Sequence, residues 1–519
     1  MPQLTEFTNL PNPPFNGTDG VFFNTTIRQT LHMSIGGDHI RIRFSNAFGP
    51  NSVTIDAATV ALPLGGGSGA SAIVPGSVKT LTFSGSPSFT IPNGAQIVSD
   101  PIAMPIQAQQ TITVTMFTAA GQLGFDITSH PGSRATSWMA FGNHVSANNI
   151  TDPSTQSLQH WYYVSAVETF TAAADPKAFV IVGDSITDGR ETTTDGNNRW
   201  PDLVLARMQQ NPALQQISVN NQAAGGNRIL ADGNGPNALG RIDRDVLAQT
   251  GVKYAMIFEG VNDIGVVAAT TAAQQVIGDQ VIAAFKQIIT RVHAQGIPIF
   301  ASTITPFGAP ANDSSIQPYS SPIREVTRQR VNAFIRSGAF DAVIDFDKVV
   351  ADPTTPSQLA PEFNSGDFLH PNVAGYTAMA DAFPLDLFEQ FAGGCRRRPP
   401  LDARIGSFVF VAVAPSNRRV HWLPSAHPSP LSPSPPLLDV SIGSRYPLFP
   451  ASPLLLSTPS TRHTSARTPS IPAVVLVPPR YPLHDSAVPD ATPPAKHNRD
   501  TSMYPLPTRA TSISLPPAR

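Results

Sequence analysis

The chain has 519 residues with a formal net charge of −2 and only 13% charged residues. That length allows about two to four domains, and the near-neutral balance argues against nucleic acid as a partner. A single cysteine, Cys395, excludes an intramolecular disulfide framework and any multi-cysteine metal cluster.

Residues 1–170 read as β-structure. "HIRIRFSNAFG" (39–49) alternates apolar and polar residues with period two. "SVTIDAATVAL", "SVKTLTFSG", "PSFTIPNG" and "QTITVTMFT" behave similarly, separated by Gly, Pro, Ser and Asn turns. Short alternating strands at this spacing predict a β-sandwich, jelly-roll-like accessory domain. "LGGGSGAS" (64–71) lacks both a following helical pattern and a terminal Lys-Ser/Thr, so it reads as a hairpin loop and not a phosphate cradle. The N-terminus has neither a basic n-region nor an apolar h-region. Asn16, Asn24, Asn149 and Asn312 nevertheless head Asn-x-Ser/Thr sequons, the acceptor pattern for glycosylation in exported chains.

From residue 175 to 394 the rhythm changes. Short apolar runs, "AFVIV", "QISVN", "YAMIF", "IPIFAST" and "DAVIDF", alternate with helical stretches, of which residues 271–296 are the clearest. Alternating β and α elements predict a mainly parallel sheet covered by helices, with ligands outside the carboxyl ends of the strands. From residue 395 the pattern collapses. This stretch carries 14 Lys+Arg against five Asp and no Glu, whereas residues 1–394 carry 20 Lys+Arg against 31 Asp+Glu. About half of the 52 prolines lie here. The composition predicts a disordered segment, 395–519, with a Pro-rich docking region as the functional alternative. The Arg excess and absent Glu fit translated non-coding sequence equally well. Its apolar run 405–414 is about half of what a membrane-spanning helix needs, so no membrane span is expected.

"VIVGDSITDG" (180–189) delivers Ser185 to the end of a predicted strand. Activating a serine hydroxyl requires a base, an acid that orients the base, and N–H donors aimed at the developing oxyanion. In "NSGDFLHPNVAGY" (364–376), Asp367 and His370 stand three apart. A turn of that length brings the carboxylate to Nδ1 and leaves Nε2 for Ser185. "NQAAGGNRIL" (221–230) offers the Gly226 N–H, and "FEGVNDIG" (258–265) the Asn262 amide. Any one of these stretches is commonly a plain turn or βα loop. All four follow predicted strands of one α/β unit and so converge on one edge of the sheet. Arg199 and Trp200 are candidate walls of the cleft, with helix-start packing the alternative for Trp200. Asp184 and Asp188 lack the spacing of a haloacid-dehalogenase-type phosphatase. Asp263 reads as a loop brace, the twelve His are scattered, and no Gly-x-Ser-x-Gly elbow is present.

With "GDSITDG", "GGNR", "GVND" and "DFLH" in this order, the sequence resembles the SGNH (GDSL-type) hydrolases, a family of esterases, lipases and deacetylases. The resemblance implies a flavodoxin-like three-layer α/β fold. It also implies Ser185 as nucleophile, His370 as general base and Asp367 as its orienter, with an oxyanion hole formed by the Ser185 N–H, the Gly226 N–H and Asn262 Nδ2. Ala223 stands where many members have the first glycine of the second block, while Gly226 is retained. The likeness is greatest to secreted fungal and actinobacterial members with a preceding β-rich domain, and it covers roughly residues 1–392. It implies export, with a signal segment preceding Met1. The expected activity is cofactor- and metal-independent hydrolysis of small acyl or aryl esters, or of esters on polysaccharides, through an acyl-serine. Acyl transfer on the same residues and a non-catalytic carbohydrate-binding protein are the alternatives. The β-rich domain reads equally as a carbohydrate-binding, lid or structural unit, and the oligomeric state is left unassigned.

Overall fold

The computed structural model describes residues 2–172 and 175–395. The segment expected to be disordered, apart from Cys395, lies outside the described residues.

In the N-terminal region two antiparallel sheets share one apolar core. Six strands run in the order Gln156–Leu158, Ser137–Phe141, Thr25–His32, Thr111–Thr118, Ala57–Ala61, Lys79–Thr80. The second sheet centres on Gly37–Ser45, which pairs with Ile102–Ile106, Val164–Phe170 and Gln96–Val98. The period-two pattern of "HIRIRF" turns Ile40, Ile42 and Phe44 inward, where they meet Ile27, Val114 and Met116 from the facing sheet. The run "SVTIDAATVAL" forms two strands, Val53–Ile55 and Ala57–Ala61, instead of one. Asp56 interrupts it: its N–H donates to the Phe117 carbonyl and its Oδ2 accepts the Ala119 N–H. Of "SVKTLTFSG", Lys79–Thr80 forms a strand and Phe83 makes an isolated bridge with Ser86.

The α/β region contains five parallel strands, Lys177–Gly183, Ile217–Asn221, Val252–Phe258, Ile299–Ser302 and Ala342–Ile344. Their spatial order is second, first, third, fourth, fifth, the flavodoxin-like order whose switch point lies between the first and third strands. Both faces are covered. Ala178, Val180 and Val182 of the first strand pack with Ile277, Val281 and Phe285 of the long helix Thr271–Ala294. The alternate residues, Phe179 and Ile181, pack on the other side with Trp200, Met379 and Phe388. A strand buried on both faces reads as a continuous apolar run, which is why "AFVIV" carries no polar alternation. The long helix starts at Thr270, whose side chain accepts from the Ala273 N–H, and is followed by Gly296 at φ +72°.

Candidate active site

Ser185 opens a one-turn helix, Ser185–Asp188, directly beyond the first strand of the parallel sheet. Asp184 caps it, accepting the Ile186 N–H at 3.0 Å. Gly183 has a packing reason: a Cβ there would lie 2.5 Å from the Thr187 side chain. Ser185 is 7% exposed and stands at the switch point of the sheet.

His370 Nε2 lies 2.8 Å from Ser185 Oγ, and its Nδ1 lies 2.5 Å from Asp367 Oδ2. The Asp367 Oδ1 atom accepts from the Leu369 and His370 N–H groups and from Ser365 Oγ. Partial burial pushes this carboxyl up, but the His370 hydrogen bond and charge and the two N–H donors outweigh it and hold the group well below the ordinary aspartate range. Asp367 is therefore an anion at neutral pH. Its contact fixes the imidazole with Nδ1 protonated and Nε2 as the acceptor for the Ser185 proton.

The other two expected donors arrive from the loop after the second strand and from the short helix Val261–Val266 after the third. Gly226 adopts φ +70°, a conformation that favours glycine, and a Cβ would lie 2.4 Å from Asn234 Nδ2. Among the described residues, neither the Ser185 nor the Gly226 N–H donates to a protein acceptor. Asn262, 5% exposed, directs one Nδ2 hydrogen to the Asn227 carbonyl at 2.9 Å, leaving the second for another acceptor. Its Oδ1 accepts the Tyr319 hydroxyl at 3.1 Å. Ala223 is buried and its N–H is held by Asn221 Oδ1, so the turn closes without a glycine there.

Of the two candidate walls, Trp200 is sealed in the core and Arg199 is engaged by neighbouring groups. Trp200 is 0% exposed, packed against Phe346 and Phe383, with Nε1 directed to Thr187 Oγ1. It is a core residue at the start of the helix Trp200–Gln209. The Arg199 guanidinium is committed to the Asp188 and Ser133 carbonyls and to Asp202. Asp263 accepts the Ile229 and Leu230 N–H groups, as a loop brace does. The sequons at Asn24, Asn149 and Asn312 are exposed and Asn16 is half-buried. Among the described residues no group of three or more His, Cys, Asp or Glu is placed to hold a metal ion, and no helix is long and apolar enough to cross a membrane.

Sequence reasoning did not identify Arg241, Glu259 or Tyr319. Arg241, 2% exposed, donates to the Gln222 carbonyl and to Asn227 Oδ1, and pairs with Asp245 and Glu259. Burial pushes the Glu259 carboxyl well above its ordinary range; Asp184 adds to this and Arg241 opposes it.

A family model described as GDSL-like Lipase/Acylhydrolase matches residues 179–383. Among solved structures, the chain is similar to a lipolytic protein of the G-D-S-L family from Desulfitobacterium hafniense DCB-2. The two are 19% identical, with 40% of this chain and 97% of that one covered and a TM-score of 0.30. It is also similar to a GDSL-like lipase from Bacteroides thetaiotaomicron VPI-5482 (17% identity, 41% and 89% covered, TM-score 0.28). A third is an acetylxylan esterase from Geobacillus stearothermophilus (20% identity, 40% and 93% covered, TM-score 0.30). No curated protein matches the chain.

Proposed function

Residues 179–383 form a GDSL lipase/acylhydrolase domain, and from that premise we propose that the protein hydrolyses carboxylic esters through an acyl-Ser185 intermediate. The observation that carries the proposal is the chain of contacts from Ser185 Oγ to His370 Nε2 and from His370 Nδ1 to Asp367. In the first step His370 Nε2 takes the hydroxyl proton as Ser185 Oγ attacks the carbonyl carbon. The oxygen that becomes negative is met by the Ser185 and Gly226 N–H groups and by the free Nδ2 hydrogen of Asn262, polar groups fixed in place before the charge develops. Asp367 stabilises the imidazolium that forms. Collapse of the tetrahedral intermediate breaks the bond to the alkoxy oxygen, and His370 returns the proton to the leaving alcohol. Water, deprotonated by the same imidazole, then attacks the acyl-serine and releases the acid.

Turnover of p-nitrophenyl acetate tests this directly. Ser185→Ala and His370→Ala should each lower kcat by at least about 10³-fold, and Asn262→Ala by about 10²–10³-fold. Near-wild-type turnover by folded Ser185→Ala protein would end the reading. The substrate class proposed is small acyl esters, free or carried on a polysaccharide. Acetate release from acetylated xylan, compared with release from p-nitrophenyl acetate, separates those two cases.

A further inference from the structure

The β-rich region reaches into the loop that follows Ser185. His130, at the end of the strand Thr128–His130, places Nε2 3.0 Å from Asp188 Oδ1, with side-chain exposures of 8% and 2%. The second carboxylate oxygen, Asp188 Oδ2, accepts the Gly225 N–H at 2.9 Å. Gly225 immediately precedes Gly226, and the peptide plane between them carries the Gly226 N–H. Two further contacts tie the same loop to the β-rich region: Arg199 joins the Asp188 and Ser133 carbonyls, and Asp195 accepts from the Thr136 N–H and hydroxyl.

We infer that His130 is a positioning residue for catalysis: through Asp188 and Gly225 it sets the direction of the Gly226 N–H, so that the β-rich region completes the oxyanion hole. The inference rests on the esterase reading above. With only the Gly225 donor, one oxygen of this buried carboxylate would lack a partner, and the imidazole N–H fixes the group by engaging that oxygen. The ring is suited to the task. Burial lowers the His130 pKa to about 4, so it is neutral at pH 7 with its proton on Nε2. The Nδ1 atom, which then bears only a lone pair, has no hydrogen-bond partner among the described residues. Burial pushes Asp188 up, but His130, Arg134 and Arg199 outweigh it and keep the carboxyl below its ordinary range, as an acceptor for both N–H groups. Gly132 supplies an independent handle: a Cβ there would fall 1.7 Å from Asp188 Oδ2 and displace the carboxylate.

The experiment compares His130→Leu, which removes the donor, with His130→Gln, which keeps one, and with Gly132→Ala, using p-nitrophenyl acetate and the folded fraction of each full-length variant. His130→Leu and Gly132→Ala should lower kcat by about 10–100-fold with KM within about threefold, the scale expected for a misplaced oxyanion donor. Inhibition by benzeneboronic acid, a tetrahedral mimic, should weaken in proportion. His130→Gln should keep kcat within about fivefold, and His130→Leu/Asp188→Asn should be no slower than Asp188→Asn alone. A purely structural role lowers the folded fraction without moving kcat or the boronate affinity, and that result overturns the inference. Equal losses in His130→Gln and His130→Leu overturn it as well. Where His130→Leu does not fold, Gly132→Ala decides by the same readouts. Failure of the esterase reading itself is distinguishable, because it appears as retained hydrolysis in Ser185→Ala.

Discussion

Arg241 and Asn227 are joined twice: the arginine Nε and Nη2 atoms both meet Asn227 Oδ1, at 3.1 and 2.9 Å. The same Asn227 accepts Asn262 Nδ2 on its backbone carbonyl. One buried guanidinium thus links the strand end before Ser185, through the Gly183 carbonyl, to the loop that carries Gly226 and the short helix that carries Asn262. Arg241→Met should destabilise the fold by about 3–5 kcal/mol, because the Gln222 carbonyl and Asn227 Oδ1 lose a charged donor and the buried Asp245 carboxylate loses one of its two guanidinium partners. Arg241→Lys should recover less than half of that loss, since an ammonium group cannot reach all of these acceptors from one position. Urea unfolding of the three proteins measures both values.

Tyr319 determines which end of the Asn262 amide faces the cleft. Its hydroxyl donates to Asn262 Oδ1, which directs Nδ2 toward Asn227 and the cleft. A Cβ on Gly265 would fall 2.2 Å from the Tyr319 ring, which packs directly on that glycine. Tyr319→Phe should lower kcat for p-nitrophenyl acetate by about tenfold, equivalent to about 1.4 kcal/mol of lost transition-state stabilisation, with little change in KM. Unchanged kcat would show that the Asn227 contact orients the amide alone.

The parts of the fold and site legible in the sequence are those whose determinants are local. Four of the five parallel strands contain runs of three or more apolar residues, and Asp367 and His370 meet because one turn holds both. The central strand Thr25–His32 escapes a hydrophobic pattern because it buries polar residues. Its Arg28 guanidinium is satisfied by the Ser71 and Ala147 carbonyls, far away in sequence. Tyr319 and Asn262 are 57 residues apart, and nothing near either one announces the other. His130 belongs to a different sheet from the loop it braces. Trp200 was ambiguous for the opposite reason, since an aromatic beside a motif looks the same in sequence whether it lines a cleft or fills a core.

The burial of Trp200 makes a prediction that separates those two roles. Trp200→Ala removes a ring packed in T-shaped contact with Phe346 and stacked on Phe383. The loss should be about 3–5 kcal/mol, and Trp200→Phe should cost clearly less. KM for p-nitrophenyl acetate in the folded fraction of Trp200→Phe should stay within about twofold of wild type. A large rise in KM at unchanged stability would return Trp200 to the cleft.

Asp184 gives the fold a pH dependence of defined sign. Burial, with the charges of Asp263 and Asp188, raises its pKa from 3.8 to about 7, against the opposing Ile186 N–H. The folded state therefore retains a proton that the unfolded chain releases near pH 4. The stability this contributes is complete below that point and is lost as pH rises toward about 7, with a slope of up to about 1.4 kcal/mol per pH unit. Asp263, raised to about 6, and Glu259 act in the same direction. Asp188 and Asp367, whose pKa values are lowered, act oppositely and only at acid pH. Asp184→Asn keeps an oxygen for the Ile186 N–H but cannot titrate. Urea unfolding at steps between about pH 4 and about pH 7.5 should give a shallower decline for Asp184→Asn than for wild type, the two curves converging toward acid pH. Parallel curves would mean that Asp184 ionises in the ordinary aspartate range despite its burial.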